Sequence, residues 1–350
     1  MGKLSQIELN MLKQIADLHK IPEGAYNIRA DGESAGRNST EHIEIVNKTD
    51  KQGIDIIVKP GTKNESVHIP VIISKTGYEE LVYNDFFIGE DCDVVIIAGC
   101  GIHNSGCNTS KHDGVHTFHV GRNSRVKYVE KHYGEGEGTG ERIMNPETVI
   151  HLEENAYMEL DTTQIRGIDS TNRVTKVDCA AGAEVVVLEK LMTHDKQVAI
   201  SDMFIEMNGD DAKARVISRS VAQGESTQTF YPRVSGNAKC FGHVQCDTII
   251  MGDAKVSSIP AINANHVDAQ LIHEAAIGRI AGDQLLKLMT LGLSEQEAEE
   301  RILAGFLKYE NLRAAPRRCP TCFTSNFRYA ILNKKKSSEA SECRPSTMSA

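Results

Sequence analysis

Three glycines at a constant interval, Gly182, Gly209 and Gly236, restrict the fold more than any other feature of the sequence. They lie 27 residues apart, and an alanine and a strand-like segment follow each of them. A repeat of this size predicts the stacked coils of a parallel β-helix, in which each coil buries its apolar face only against its neighbours. The alternative is an antiparallel sandwich, whose turns would recur about every 8 to 12 residues without a longer period.

The middle of the chain contains many short apolar segments and almost no helical periodicity. Small polar turn residues separate these segments, which is typical of consecutive β-strands. Eight segments are predicted to be strands: GIDIIVKP, SVHIPVIIS, DCDVVIIAG, SRVKYVEKHY, AYMELDTTQI, AEVVVLEKLM, AKARVISRSV and HVQCDTIIMG.

Helical patterns flank this region on both sides. Capping-box pairs, Ser5 with Glu8 and Ser294 with Glu297, mark two helix starts. We therefore expect a mainly β fold with four parts. These are an N-terminal helix and linker (1–39), a β-helix core (40–280), a C-terminal helical subdomain (281–308) and a low-complexity tail (309–350) that is expected to be disordered.

Composition argues against several classes of protein. The net charge of -9 argues against a nucleic-acid partner, since phosphate neutralisation needs a basic surface. No apolar run approaches the roughly 18 residues that span a bilayer. The N-terminal segment is amphipathic rather than a signal sequence, so we expect a cytoplasmic protein with no membrane partner. The nine cysteines are then expected to be reduced thiols.

Cys246 lies in the strand HVQCDTIIMGD, where alternation places it on one face with Val244 and places Gln245 and Asp247 on the other. A free cysteine on such a face can be a small buried hydrophobic residue or a reactive thiolate. The sequence LIHEAAIGRI follows about 25 residues later with His273 and Glu274. Adjacent residues of a strand point to opposite faces, so this pair cannot form a simple dyad.

The segment CGIHNSGCNTSKHDGVHTFHVG is rich in soft and borderline metal ligands. Cys100, His103 and Cys107 are its candidate metal ligands, although their spacing fits no standard zinc pattern. His116 and His119 would face opposite sides of a strand, so not all ligands of the segment can converge. The tail contributes only a lone CxxC pair, Cys319 and Cys322. Cys179, judged from its own sequence context, is expected to be a core residue. The chain contains no GxSxG motif, no phosphate-binding loop and no GxGxxG between a strand and a helix.

Three stretches resemble the SufB/SufD family, the scaffold components of the SUF iron–sulfur assembly system: RVTKVDCAAGAEV, QCDTIIMGD and LIHEAAIGRIAGDQLLKLMTLGLSEQEAEERILAGFL. The resemblance runs from about residue 100 to residue 307, with Leu291 where the family has arginine. It implies a right-handed parallel β-helix and a scaffold that is not an enzyme. By resemblance Cys246, His273 and Glu274 would hold a transient iron–sulfur cluster, and Cys179 would accept sulfur.

The resemblance also implies partners. The C-terminal helices would dock onto a SufC-type ABC ATPase, with the apolar residues Leu285, Met289, Ile302, Leu303 and Phe306 as the candidate contacts. This chain itself would bind no nucleotide. The short N-terminal part favours a homodimer over a SufB–SufD heterodimer, with a sulfur donor protein and apo iron–sulfur proteins as further partners. The alternatives are a SufD-like adaptor that carries no cluster and a β-helix enzyme acting on polysaccharide, which the scarce aromatics disfavour.

Overall fold

The computed structural model describes residues 4–308, and the predictions for the tail and for Cys319 and Cys322 lie outside the described residues. The predicted parallel β-helix is confirmed: the chain winds through about eight turns, and most turns add one strand to each of two sheets. Strands are numbered here in chain order.

The first sheet has ten strands, which follow one another through parallel pairing except for the hairpin at its start. Its members are β1 (Ala25–Ala30), β2 (Glu33–Asn38), β5 (Lys63–Ile73), β7 (Asp93–His103), β9 (Arg125–Glu135), β12 (Tyr157–Arg166), β14 (Glu184–Thr193), β16 (Lys213–Ala222), β18 (Phe241–Ile250) and β21 (Gln270–Gly278).

The second sheet has eleven strands, some of them short because two coils are interrupted. Its members are β3 (Ile43–Asn47), β4 (Gly53–Val58), β6 (Glu79–Ile88), β8 (Ser110–Val120), β10 (Arg142–Met144), β11 (Glu147–Leu152), β13 (Ser170–Cys179), β15 (Val198–Met207), β17 (Thr227–Gly236), β19 (Lys255–Ser258) and β20 (Ala261–Ala264).

The length of a coil is not constant. Tyr157 pairs with Glu184 across a coil that equals the glycine period, whereas Arg125 pairs with Tyr157 across a longer one. Of the three periodic glycines, Gly182 adopts a left-handed turn with φ of 67°. A Cβ atom on Gly209 would lie 2.0 Å from the backbone nitrogen of Ala181 in the previous coil. The coil length therefore varies along the solenoid, and the glycine interval seen in the sequence corresponds to its shortest coils.

The interior between the two sheets is filled by inward-facing side chains of alternate residues. A continuous apolar core extends from Ala25 to Cys246, and it includes a stack of Phe86 on Phe118 with ring centroids 4.2 Å apart. Tyr128 packs edge-on against Phe118. Each coil is thus stabilised mainly by apolar burial against its neighbours, as expected for a solenoid.

The N-terminal helix α1 (Gln6–Ala16) is capped by Ser5 and Glu8 as predicted, and it buries Met11, Leu12 and Ile15 against the first sheet. The sheet has a glycine where the helix touches it, because a Cβ atom on Gly99 would lie 2.4 Å from the carbonyl oxygen of Ile15. Strand pairing already begins at residue 25, so the segment predicted to be a linker up to residue 39 is instead a β-hairpin of the first sheet.

Two helices follow the last strand: α2 (Gly282–Thr290) and α3 (Glu295–Leu307). Helix α3 packs on β16, where Leu303 and Leu307 are buried against Val221. Within residues 4–308, no helix is long and apolar enough to cross a membrane.

Candidate functional site

Cys246 and His273 are brought together on the interior face of the last two coils. Strand β18 directs Cys246 inward, and β21 pairs with it so that His273 lies beside Val244 and Ala275 beside Cys246. The Sγ atom of Cys246 is 3.5 Å from Nε2 of His273. Two soft or borderline ligands from neighbouring strands therefore share one point inside the solenoid.

Burial keeps the thiol of Cys246 protonated at rest. Removal from water raises the pKa of Cys246 to about 12, although the nearby Ser258 opposes the shift. Burial also lowers the pKa of His273, with a smaller contribution from the charge of His243. A neutral imidazole next to a protonated thiol can bind a metal ion once the thiol proton leaves.

Glu274 does not join this pair. It lies opposite Gln245 on the outer face, exposed, with its Oε2 atom 3.7 Å from Nε2 of His243. The predicted separation of the two adjacent side chains onto opposite faces is confirmed. The polar flanks of Cys246, Gln245 and Asp247, also lie outside and hydrogen-bond to each other at 2.7 Å.

The Cys246 pair lies at an open end of the solenoid. Strand β21 is the edge of the first sheet, and its outer neighbours in the last coil, β19 and β20, are short and largely exposed. Apolar side chains remain exposed on this coil, among them Ile272, Ile277 and Val267. An edge strand with exposed apolar residues is a typical site for pairing with another chain.

Cys179 is placed in the apolar core at the end of β13. It is almost completely buried, and burial raises its pKa to about 12, with smaller contributions from Asp178 and Cys240. Nothing around it activates the thiol at rest. Its predicted role as the sulfur acceptor therefore stays a prediction.

The three predicted metal ligands Cys100, His103 and Cys107 do not converge. Cys100 is buried in the interior, His103 lies 3.4 Å from a carboxylate oxygen of Glu135, and Cys107 is exposed in the loop before β8. Across residues 4–308, no three histidine, cysteine or acidic side chains are arranged to hold a metal ion. As predicted, His116 faces inward and His119 outward.

Cys100 instead contacts two histidines that the sequence did not connect with it. His112 and His132 line the same interior cavity as Cys100 and, against the effect of burial, lower the pKa of its thiol. One coil of the solenoid separates two of these residues, because Cys100 pairs across the first sheet with His132 of the next strand. Only a correct coil length for this part of the chain would have revealed the contact.

The five predicted docking residues fall into two groups. On α3, Leu303 is buried, and Ile302 and Phe306 are half-buried. The carbonyl oxygen of Phe306 accepts a hydrogen bond from Arg219. On α2, Leu285 is half-buried and Met289 is exposed. Leu286 and Leu291, which were not predicted, are 60% and 79% exposed. Among the C-terminal helices within residues 4–308, the exposed apolar surface is therefore on α2 and just after it.

Comparison with known proteins bears on the family to which the chain belongs. Residues 85–306 match the family described as SUF system FeS cluster assembly, SufBD core domain. An iron–sulfur cluster assembly SufBD family protein of Methanocaldococcus jannaschii is 26% identical over 72% of this chain and 79% of its own length. Another from Archaeoglobus fulgidus is 27% identical over 78% of this chain and 73% of its own length. Since the matched core covers most of the solenoid and both C-terminal helices, the chain belongs to the SufBD family of iron–sulfur cluster assembly proteins.

Proposed function

We propose that this chain is a scaffold on which an iron–sulfur cluster is assembled and from which it passes to apo-proteins. The observation that carries the proposal is the 3.5 Å approach of Cys246 and His273 on the interior face of the last two coils. Thiolate and imidazole are both established ligands of iron–sulfur clusters. The cluster is cargo here, and the chain supplies ligands and shelter rather than catalysis of a reaction.

The resting state of the pair suits a transient cluster. Because the pKa of Cys246 is raised to about 12, iron has to displace the thiol proton before it can bind. Binding is therefore coupled to proton release and weakens as the pH falls. Sulfur that enters at Cys179 would travel through the interior to reach the same point.

Within residues 4–308, one copy of the chain places too few ligands at this point for a complete cluster. Clusters of either common type use four protein ligands, and Cys246 and His273 supply two. The remaining ligands would come from a second copy paired along the exposed edge of β21. A homodimer joined there would also cover the exposed Ile272 and Ile277.

Replacing Cys246 by serine tests the scaffold function. We expect anaerobic reconstitution with ferrous iron and inorganic sulfide to give the wild type a visible absorption band. The Cys246→Ser variant should bind iron at least about ten-fold more weakly. Even the loss of a residue that only hydrogen-bonds to a metal ligand usually has an effect of this size. The measurement is iron and sulfide content per chain, together with the visible spectrum.

The matched control is Cys92→Ser. Cys92 is also a free, buried interior cysteine, but it lies in the coil near the start of β7, where its sulfur donates to the carbonyl oxygen of Lys59 at 3.2 Å. Iron content should be unchanged in this variant. Equal iron content in the wild type and Cys246→Ser would overturn the scaffold role and favour the adaptor that carries no cluster.

We propose further that α2 docks an ABC-type ATPase through its exposed apolar side chains. The double variant Leu286→Asp/Met289→Asp puts two charges on this surface without touching the buried Leu303. We expect at least about ten-fold weaker co-purification with the ATPase, since central apolar contacts dominate protein interfaces. The variant Gln284→Asp/Lys287→Asp adds charge to the polar positions of the same helix and should bind normally. Undiminished binding by the first variant would remove α2 from the interface.

A further inference from the structure

Cys100 lies at the centre of a polar cluster that the last coil does not use. The cluster occupies the solenoid interior between β6 and β13, and its side chains come from five different strands. We call it the interior polar cluster and define it by these residues: Glu80, Cys100, His112, His116, Tyr128, Glu130, His132 and Arg173. All eight are buried.

One side of the cluster connects Cys100 to a fixed positive charge. The imidazole of His112 lines the same cavity as the sulfur, and its Nδ1 atom lies 3.0 Å from an oxygen of Glu80. Glu80 in turn accepts a hydrogen bond from Arg29 at 2.9 Å. The carboxylate orients the ring through Nδ1, which leaves Nε2 available to the sulfur.

The other side is equally well ordered. Glu130 accepts hydrogen bonds from Arg173 at 2.7 Å and from Tyr128 at 2.9 Å. Arg173 also donates to Nδ1 of His132 at 3.1 Å, which leaves the Nε2 edge of this imidazole for its remaining contacts. Every charge in the cluster therefore has an opposite charge beside it.

These contacts make Cys100 unlike the other interior cysteines with perturbed thiols. Burial alone would raise its pKa, but His112 and His132 lower the pKa of Cys100 to about 7. Burial would likewise lower the pKa of His112, yet Cys100 and Glu80 raise it to about 10. By contrast, burial raises the pKa of both Cys179 and Cys246 to about 12. A thiolate facing an imidazolium is the typical arrangement of a nucleophilic cysteine.

A small cavity adjoins the thiol. Its walls include Cys100, His112, His116 and His132, and it has room for about one water-sized atom. The cavity exists because an inward-facing position of β8 is glycine: a Cβ atom on Gly114 would lie 3.4 Å from Nε2 of His112. A single additional atom bonded to the sulfur of Cys100 can therefore be accommodated.

We propose that Cys100 is an interior acceptor of sulfane sulfur, which it takes from a persulfide donor and holds in this cavity. The inference rests on the proposed scaffold function and names a sulfur-bearing residue in addition to Cys179. A metal ion is the poorer occupant, because no three side chains among the described residues are arranged to hold one.

The transfer balances without an added oxidant. The Cys100 thiolate attacks the outer sulfur of a donor persulfide, R–S–SH, and a new sulfur–sulfur bond forms on Cys100. The sulfur–sulfur bond of the donor breaks, and its electron pair leaves with the donor thiolate, which takes the proton of the transferred sulfur. The products are R–SH and a Cys100 persulfide anion that faces the His112 imidazolium.

The test is to map persulfides on the full chain. The protein is incubated anaerobically with glutathione persulfide for short times, alkylated under denaturing conditions and sequenced by fragment-ion mass spectrometry. We expect Cys100 to carry one added sulfur before Cys179 or Cys246 does. If either of those cysteines is labelled first, or if Cys100 stays unlabelled, the proposal is wrong.

A histidine variant tests the contact itself. His112→Gln should slow labelling of Cys100 about ten-fold or more. Loss of the imidazolium raises the pKa of the thiol, and each unit of increase lowers the thiolate fraction about ten-fold. His68→Gln, at a buried histidine outside the cluster, should not. Equal rates in the wild type and His112→Gln, or equal slowing by both variants, would contradict the proposal. Cys246→Ser should lose iron but keep the Cys100 persulfide, which separates this inference from the scaffold function.

Discussion

Replacing Arg173 by methionine is expected to lower the free energy of unfolding by about 3–5 kcal/mol, the usual cost of removing one partner of a buried ion pair. The substitution leaves Glu130 in the solenoid interior without its 2.7 Å contact. Burial alone would raise the pKa of Glu130, but contacts with His132 and Arg173 hold it well below the ordinary value. Without Arg173, the carboxylate of Glu130 is either charged and poorly paired or protonated, and both states lower the free energy of unfolding.

Urea unfolding at neutral pH measures this effect through the shift of the midpoint. The double variant Arg173→Met/Glu130→Gln should recover part of the loss, because it removes the uncompensated charge together with its partner. Arg122→Met, at an exposed position, should change the stability by less than about 0.5 kcal/mol. A loss in Arg173→Met as small as that of Arg122→Met would show that the interior pair does not stabilise the fold.

The sequence predicted one sheet of the solenoid much better than the other. Seven of the eight predicted strands lie in the first sheet, and only GIDIIVKP, which is β4, lies in the second. The difference is physical. Strands of the second sheet such as β13, STNRVTKVDC, alternate polar and small residues with few apolar ones, so they lack the apolar runs that indicate a buried strand. Their pairing is imposed by the coil, not by local preference.

The candidate site divides in the same way. Alternation along β18 was enough to place Cys246 inside and its polar neighbours outside, because that information is local. The contact with His273 needed the correct register between two coils, and the resemblance to a family supplied it. For Cys100 neither source was sufficient. Its partner His132, like the pair of Glu80 and His112, is joined across a coil that is longer than the interval between the periodic glycines.

Substitution of His273 by alanine is expected to remove most of the iron bound on reconstitution, whereas Glu274→Gln should retain it. Alanine removes the imidazole whose Nε2 atom lies 3.5 Å from the sulfur of Cys246, and the effect should approach that of Cys246→Ser. Glutamine at residue 274 keeps the size of a side chain that points to the outer face, towards His243.

The pair of variants therefore compares two adjacent residues of one strand that differ mainly in the face they occupy. Iron content per chain is the measurement, and thermal unfolding of each variant without iron controls for damage to the exposed edge strand β21. Iron loss in Glu274→Gln equal to that in His273→Ala would mean that the outer face contributes a ligand. The cluster would then have to lie across the sheet edge, where the chain is open to a second copy, and the interior face alone could not define the site.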